Sequence, residues 1–144
     1  MKPAEPQPPV QLSIPNDAKW LTVVRLAVSG VASRLGASYE EVDDIKVAVS
    51  EACTNAIDHA FPTQERGRGV ICIRCHPGDG EVRIDVEDSG CGFDPQTADV
   101  VDESAPEKRG GLGLFLIQKL MDETEVVSQP GGGTRVTMVK RFAR

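Results

Sequence analysis

Apolar and polar residues alternate from Gln11 to Ile14, and Pro15 then removes a backbone donor, which predicts a short edge strand. Beyond it, Trp20, Val23, Val24, Ala27, Val28, Val31 and Leu35 recur at helical spacing. They predict a helix capped by Asn16 or Asp17, with the stripe facing the core and Gly36 ending it. Ser38 with Glu41 three residues on forms a capping box and opens a second helix, running to about Ala60 before Pro62. The period then falls to two. Val70 to Cys75 and Glu81 to Glu87 read as strands joined through Pro77-Gly78-Asp79-Gly80. Leu112 to Asp122 is apolar enough for a buried helix. Thr124 to Val127 and Thr134 to Phe142 form a second hairpin through Gly131-Gly132-Gly133.

Phe93 to Arg109 interrupts this order. It has no clear period and five acidic residues, and a loop of that length in a compact domain is usually a functional lid or disordered. The elements run strand, two helices, two strands, lid, helix, two strands. That order predicts an α+β fold, a two-layer sandwich of a mixed, mostly antiparallel sheet with helices on one face.

Composition narrows the function classes. The chain has 144 residues, enough for one domain with a real core. Sixteen basic against 22 acidic residues leave a net charge of -6, which argues against direct nucleic-acid binding. There is no apolar run long enough to cross a bilayer. Residues 1–10 read as a Pro-rich disordered tail before a domain over 11–144. Met1 to Pro9 holds four prolines and no apolar stretch of a signal peptide, so a cytoplasmic location is expected. Cys72-Ile73-Arg74-Cys75-His76 matches a haem attachment pattern. On a strand, however, residues three apart point to opposite faces, so half-buried, reduced thiols are expected instead.

Three segments carry chemistry. In Ser50-Glu51-Ala52-Cys53-Thr54-Asn55-Ala56, Glu51 and Asn55 lie roughly 40° apart on one helix face. The apolar stripe Ile45, Val49, Ala52, Ala56 and Ala60 is centred roughly 140° from Glu51. Glu51 could act as a general base, and Asn55 offers a neutral oxygen to a hard cation. Alone, the pair is equally an ordinary solvated face. In Glu87-Asp88-Ser89-Gly90-Cys91-Gly92, Asp88 continues the register of Val82, Ile84 and Val86, which aims a carboxylate at the apolar side. Burial without a partner would be costly. A purine exocyclic amine suits an acceptor-only carboxylate; adenine carries one where guanine carries a carbonyl. Gly90 and Gly92 would let the backbone approach a flat ring. A strand-to-turn cap is the simpler alternative. In Lys108-Arg109-Gly110-Gly111-Leu112-Gly113-Leu114, glycines entering a helix present free amides and a positive dipole end to phosphate, beside two cations. A glycine hinge would look the same, and the run is neither a Walker nor a Rossmann motif. Together the segments supply a cation-and-base face, an amine reader and a phosphate cradle.

In this order they resemble the N, G1 and G2 boxes of the GHKL ATPase superfamily. The likeness is nearest to the anti-sigma-factor serine kinases of the RsbW type and covers Leu12 to Phe142. The resemblance implies a Bergerat fold binding ATP between sheet and helices. It implies that Asn55 helps hold Mg²⁺ and that Glu51 is the base toward a serine hydroxyl. Asp88 would receive the adenine amine, with Thr134 nearby. Gly110, Gly111, Leu112, Gly113 and Leu114 would close on the phosphates. It further implies binding of a sigma factor, phosphorylation of an anti-anti-sigma protein of the STAS type, a homodimer, and Arg25 as a partner contact. Asp58 departs from many relatives and is expected to face out, since its charge beside phosphate would be unfavourable. His59 is given no catalytic role. Two other readings stay open: a non-catalytic module switched by ATP, and a histidine-kinase-type ATP-binding domain.

Overall fold

The computed structural model describes residues 7–60, 69–88, 110–129 and 133–143. Five strands form one sheet: β1 (Val10–Pro15), β2 (Val70–Gly78), β3 (Glu81–Asp88), β4 (Glu123–Gln129) and β5 (Gly133–Arg141), in the order β1-β2-β3-β5-β4. The expected mixed sheet is antiparallel in all four ladders. Every neighbouring pair is antiparallel, while β3 and β4, on either side of β5, run parallel to each other and are connected through a helix. The β2–β3 turn is two residues, Asp79-Gly80, with Gly80 at φ 71, a conformation such hairpins require.

Three α-helices are described: α1 (Leu21–Arg34), α2 (Tyr39–Asn55) and α3 (Gly110–Leu120). Their buried faces meet one side of the sheet. Val24, Val28 and Ala32 of α1, Ile45, Ala48, Val49, Ala52 and Cys53 of α2, and Leu114 and Ile117 of α3 share a core with Ile71, Ile73, Ile84, Val86, Val136 and Met138. The α2 stripe is as expected. The α1 stripe is narrower: Trp20 is 37% exposed and Val23 40%. Trp20 belongs to a one-turn 3-10 helix, Ala18–Trp20, whose cap is Asp17. Asn16 has a different task. Fully buried, it donates its backbone N–H to the Gly69 carbonyl and accepts the Gly69 N–H on its side-chain oxygen, which ties the end of β1 to the start of β2.

The opposite sheet face is polar. Arg74 bonds Glu87 at 2.8 Å, and His76 Nε2 lies 2.9 Å from Asp85. Cys72 and Cys75 fall on opposite faces of β2, so the haem pattern has no common side on which to act. Cys75 is buried, and desolvation, then the nearby Asp85 charge, pushes its thiol up to about 11.

Two polar clamps orient the helices. Lys140 Nζ bonds Asp44 of α2 at 3.1 Å and the Leu120 carbonyl, at the C-terminus of α3, at 2.7 Å. A cation there matches the negative end of the helix dipole. At the start of α2 the capping box is complete: Ser38 Oγ accepts from Glu41 N–H, and Glu41 accepts from Ser38 N–H. The second oxygen of Glu41 accepts from Ala143 N–H at 2.8 Å, which fastens the residues after β5.

These donors, first Ser38 and then Ala143, hold the Glu41 carboxyl below its usual value of 4.5. A depressed folded-state pKa adds stability above the unfolded value and loses it as pH falls. In urea titrations Glu41→Gln should therefore be less stable than wild type at pH 7. The gap should shrink once pH drops below about 4.5. A gap unchanged in acid would mean that the charge contributes nothing.

Candidate functional site

The site begins with the end of α2. Ala52, Cys53, Ala56 and Ile57 are buried, so Glu51 and Asn55 are left on the half-buried flank beside them, one turn apart. Immediately after Asn55 the helix widens into a π turn, Ala56–Ala60, in place of the continuous α-helix expected to Ala60. Such widenings recur at functional sites because they redirect a helix face. The π turn lies against β3 and β5, which carry Asp88 and Thr134. Asp58 is exposed, as expected. Cys53 is sealed in the core, where burial pushes its thiol up to about 12, so it is no nucleophile.

Asn55 meets the glycine run across the helix pair. A Cβ placed on Gly113 would lie 2.8 Å from Asn55 Nδ2 and 3.0 Å from Oδ1. Only a residue without a side chain lets the amide rest there. Asn55 Nδ2 is buried and has no hydrogen-bond partner among the described residues. Leaving such a donor unmet costs about 1–3 kcal/mol, which a bound group able to satisfy the amide would recover. Rotation of the amide exchanges its nitrogen and oxygen, so the same position can present an acceptor to a cation. The glycines stand differently from the expected approach to a helix. Gly110 and Gly111 are the first residues of α3 itself, so their amides are among its unsatisfied N-terminal donors.

The third component closes the strand side. Val82, Ile84 and Val86 are buried on one face of β3, and Asp88 ends that row at 7% exposure, as its register predicted. Thr134, also 7% exposed, is its direct cross-strand partner on β5. Ser128 of β4 faces Thr134 and sits 2.7 Å from it, oxygen to oxygen. Sequence reasoning missed Ser128, whose partner is set by the register of the β4–β5 hairpin. Gly90, Gly92, Lys108 and Arg109, and the lid expected at 93–109, lie outside the described residues, as does the side chain of Leu112. Leu114 is buried in the core rather than presented to a ligand, so only its backbone remains available. Arg25 is half-buried on α1, next to Leu26, which is 69% exposed.

Among the described residues no cluster of three His, Cys, Asp or Glu side chains could cage a metal. A cation here would have to share its coordination with a ligand.

A model of the histidine kinase-like ATPase domain matches residues 14–140. The serine-protein kinase RsbW of Bacillus pumilus is 41% identical over 145 residues, covering 94% of this chain and 86% of that protein. The chain belongs to this family of RsbW-type serine-protein kinases. The Bacillus subtilis member is 38% identical over 140 residues, covering 91% of this chain and 84% of its own. Among solved structures, the RsbU and RsbW domains of a Mycobacterium tuberculosis protein superpose with a TM-score of 0.67 at 25% identity. That match covers 96% of this chain but 34% of the longer one. A histidine kinase domain from Erythrobacter litoralis gives 0.58 at 26% identity, covering 90% of this chain and 62% of the other. The RsbW-type likeness therefore spans the sheet, the helices and all three site segments. No helix among the described residues is long and apolar enough to cross a membrane.

Gly113→Ala tests the contact between the two boxes. A mid-helix alanine is favoured over glycine by about 1 kcal/mol, and the end of the Asn55 side chain can swing away. The melting temperature should hold within a few degrees, while ATP affinity measured by calorimetry falls at least about tenfold. Unchanged affinity would mean that the position of Asn55 is immaterial to nucleotide binding.

Proposed function

We propose that this serine-protein kinase acts as an anti-sigma factor, binding a sigma factor and using ATP to phosphorylate a serine of an anti-anti-sigma protein of the STAS type. The observation that carries the nucleotide site is the Asn55 side-chain nitrogen, buried without a hydrogen-bond partner among the described residues and held against Gly113. It lies where an α-helix flank meets the start of a second helix, whose free amides and dipole suit phosphate. In this reading Gly110, Gly111 and Gly113 cradle the phosphates, with Gly90, Gly92, Lys108, Arg109 and the backbone of Leu112 and Leu114 closing around the nucleotide. Asp88 and Thr134 read the adenine edge.

Asn55 would hold Mg²⁺ through its side-chain oxygen, and the ion would neutralise charge on the phosphates. The residues fit it: the amide nitrogen is buried without a partner among the described residues, and rotation of the amide would put its oxygen in that place. Glu51, one turn before Asn55, takes the proton of the attacking serine. As the serine oxygen bonds to the terminal phosphorus, the bond to the bridging oxygen breaks, and ADP leaves with the electron pair. Positioning carries most of the catalysis in such transfers, with the base adding about 10²–10⁴-fold. Glu51→Ala should keep ATP affinity but lose transfer to the partner by about that factor. Transfer at the wild-type rate would remove Glu51 from the base role.

The partner surface is assigned to α1. On the same stretch of chain as Arg25, the apolar side chains of Trp20, Val23 and Leu26 are partly or largely exposed. Exposed apolar groups on a helix that also carries a cation fit a protein contact. The kinase is proposed to work as a homodimer. Arg25→Ala should weaken sigma-factor binding about tenfold or more while leaving ATP affinity unaltered. Equal sigma binding by both proteins in pull-down or calorimetry would move the contact elsewhere.

A further inference from the structure

Lys140 sits where the sheet runs out beneath the helices. It stands opposite the buried Val82 in register and so faces the helix side, while the ladder between β5 and β4 has already ended at Val139. Its side chain is 13% exposed, and its ammonium reaches Asp44 Oδ2 on α2 at 3.1 Å and the Leu120 carbonyl oxygen at 2.7 Å. Leu120 is the last residue of α3, so this carbonyl has no partner within its own helix. An ammonium has three N–H groups to give. One nitrogen on β5 thus bonds both helices of the pair.

The rest of the seam between α2 and α3 has no such direction. Ile45, Ala48, Val49 and Ala52 of α2 share an apolar cluster with Leu114, Ile117 and Leu120 of α3, and apolar contact is non-directional. Such a seam resists separation but distinguishes poorly between neighbouring registers. The seat of Asn55 is more exacting. The helices run antiparallel, with Asp44 and Leu120 at one end of the pair and Asn55 and Gly113 at the other. At about 1.5 Å per residue, the two contacts lie about 16 Å apart along α2 and about 10 Å apart along α3. A slide of α3 by one turn would bring Leu116 or Ile117 opposite Asn55, where even a Cβ on Gly113 would lie 2.8 Å from the amide nitrogen. A slide the other way would carry the free amides of Gly110 and Gly111 one turn past it.

We infer that Lys140 is a positioning residue for the nucleotide site: it fixes the register of α3 along α2 and thereby seats Gly113 against Asn55. This rests on the reading of that contact, with the start of α3, as the seat of ATP. Fold stability alone is a poor reason for a cation here. Replacing a buried ion pair by apolar groups of similar volume is often neutral or stabilising, whereas selection of one register is the best-attested use of such polar contacts. Lys140 holds the end of α3 opposite to its glycines, so it acts on the nucleotide through the helix pair and not by touching it.

Lys140→Met keeps the bulk of the stem and removes the ammonium. Calorimetric titration with ATP and magnesium should give a dissociation constant about fivefold or more above wild type, with the circular dichroism of the fold unchanged. The deciding measurement is the cycle with Gly113→Ala, which disturbs the seat directly. If Lys140 acts through that seat, Lys140→Met should add less than about a twofold loss once residue 113 is alanine. Losses that multiply would mark two independent structural effects and overturn the inference, as would wild-type affinity in Lys140→Met alone. Asp44→Ala supplies a second route if Lys140→Met folds poorly, since the Asp44 side chain is 35% exposed. It should weaken ATP binding when Gly113 is present and not when it is replaced; an equal loss in both backgrounds would overturn the inference. The two levels separate cleanly. Gly113→Ala binding ATP as wild type does would remove the seat itself. Weak binding by Gly113→Ala beside wild-type affinity in Lys140→Met would remove only the role of Lys140.

Discussion

An amide nitrogen, buried and without a hydrogen-bond partner among the described residues, sits where α2 meets α3, and much of the fold serves to keep it there. Ala52, Ala56 and Ile57 fill the core beside Asn55. It rests on Gly113 because no side chain intervenes. The other end of the same helix pair is fastened by Lys140, which bonds Asp44 on α2 and the last turn of α3. One polar clamp closes the pair at a distance, and one open polar contact is left at the near end. An orphan donor in a dry setting is unfavourable in the empty protein, so it is informative about what the protein binds.

The strand side follows the same logic. Asp88 and Thr134 are polar groups at the border of a core built from isoleucine, valine and methionine. In such surroundings a hydrogen bond is strengthened and a mismatch is punished, so a few buried oxygens can discriminate between bases. The carboxylate only accepts, whereas hydroxyls choose their role from their neighbours.

The proposed reading assigns catalysis and partner binding to different parts of one scaffold. The nucleotide elements border the core and are ordered by it. The first helix turns apolar residues outward, which the domain's own stability does not require. Family membership accounts for the fold and the kinase activity, while the exposed face of α1 is where a particular partner would be recognised.

Local chemistry was legible in the sequence. The capping box of Ser38 and Glu41, the Asp79-Gly80 turn, the α2 stripe and the inward aim of Asp88 all depend on residues within a few positions of each other, and period and spacing report them directly. The burial of Trp20 and Val23 was misread because helical spacing identifies an apolar face but not how much of it the sheet will cover. The purely antiparallel pairing, the π turn after Asn55, the place of Gly110 and Gly111 inside α3, and the partners of Asn16, Lys140 and Ser128 were not legible. Each depends on chain segments tens of residues apart or on a strand register. Sequence alone nominated the residues proposed to carry the chemistry and the inward aim of Asp88. Tertiary structure decided which of them meet, because contact between distant segments is set by the packing of whole helices and strands, and no local pattern encodes it.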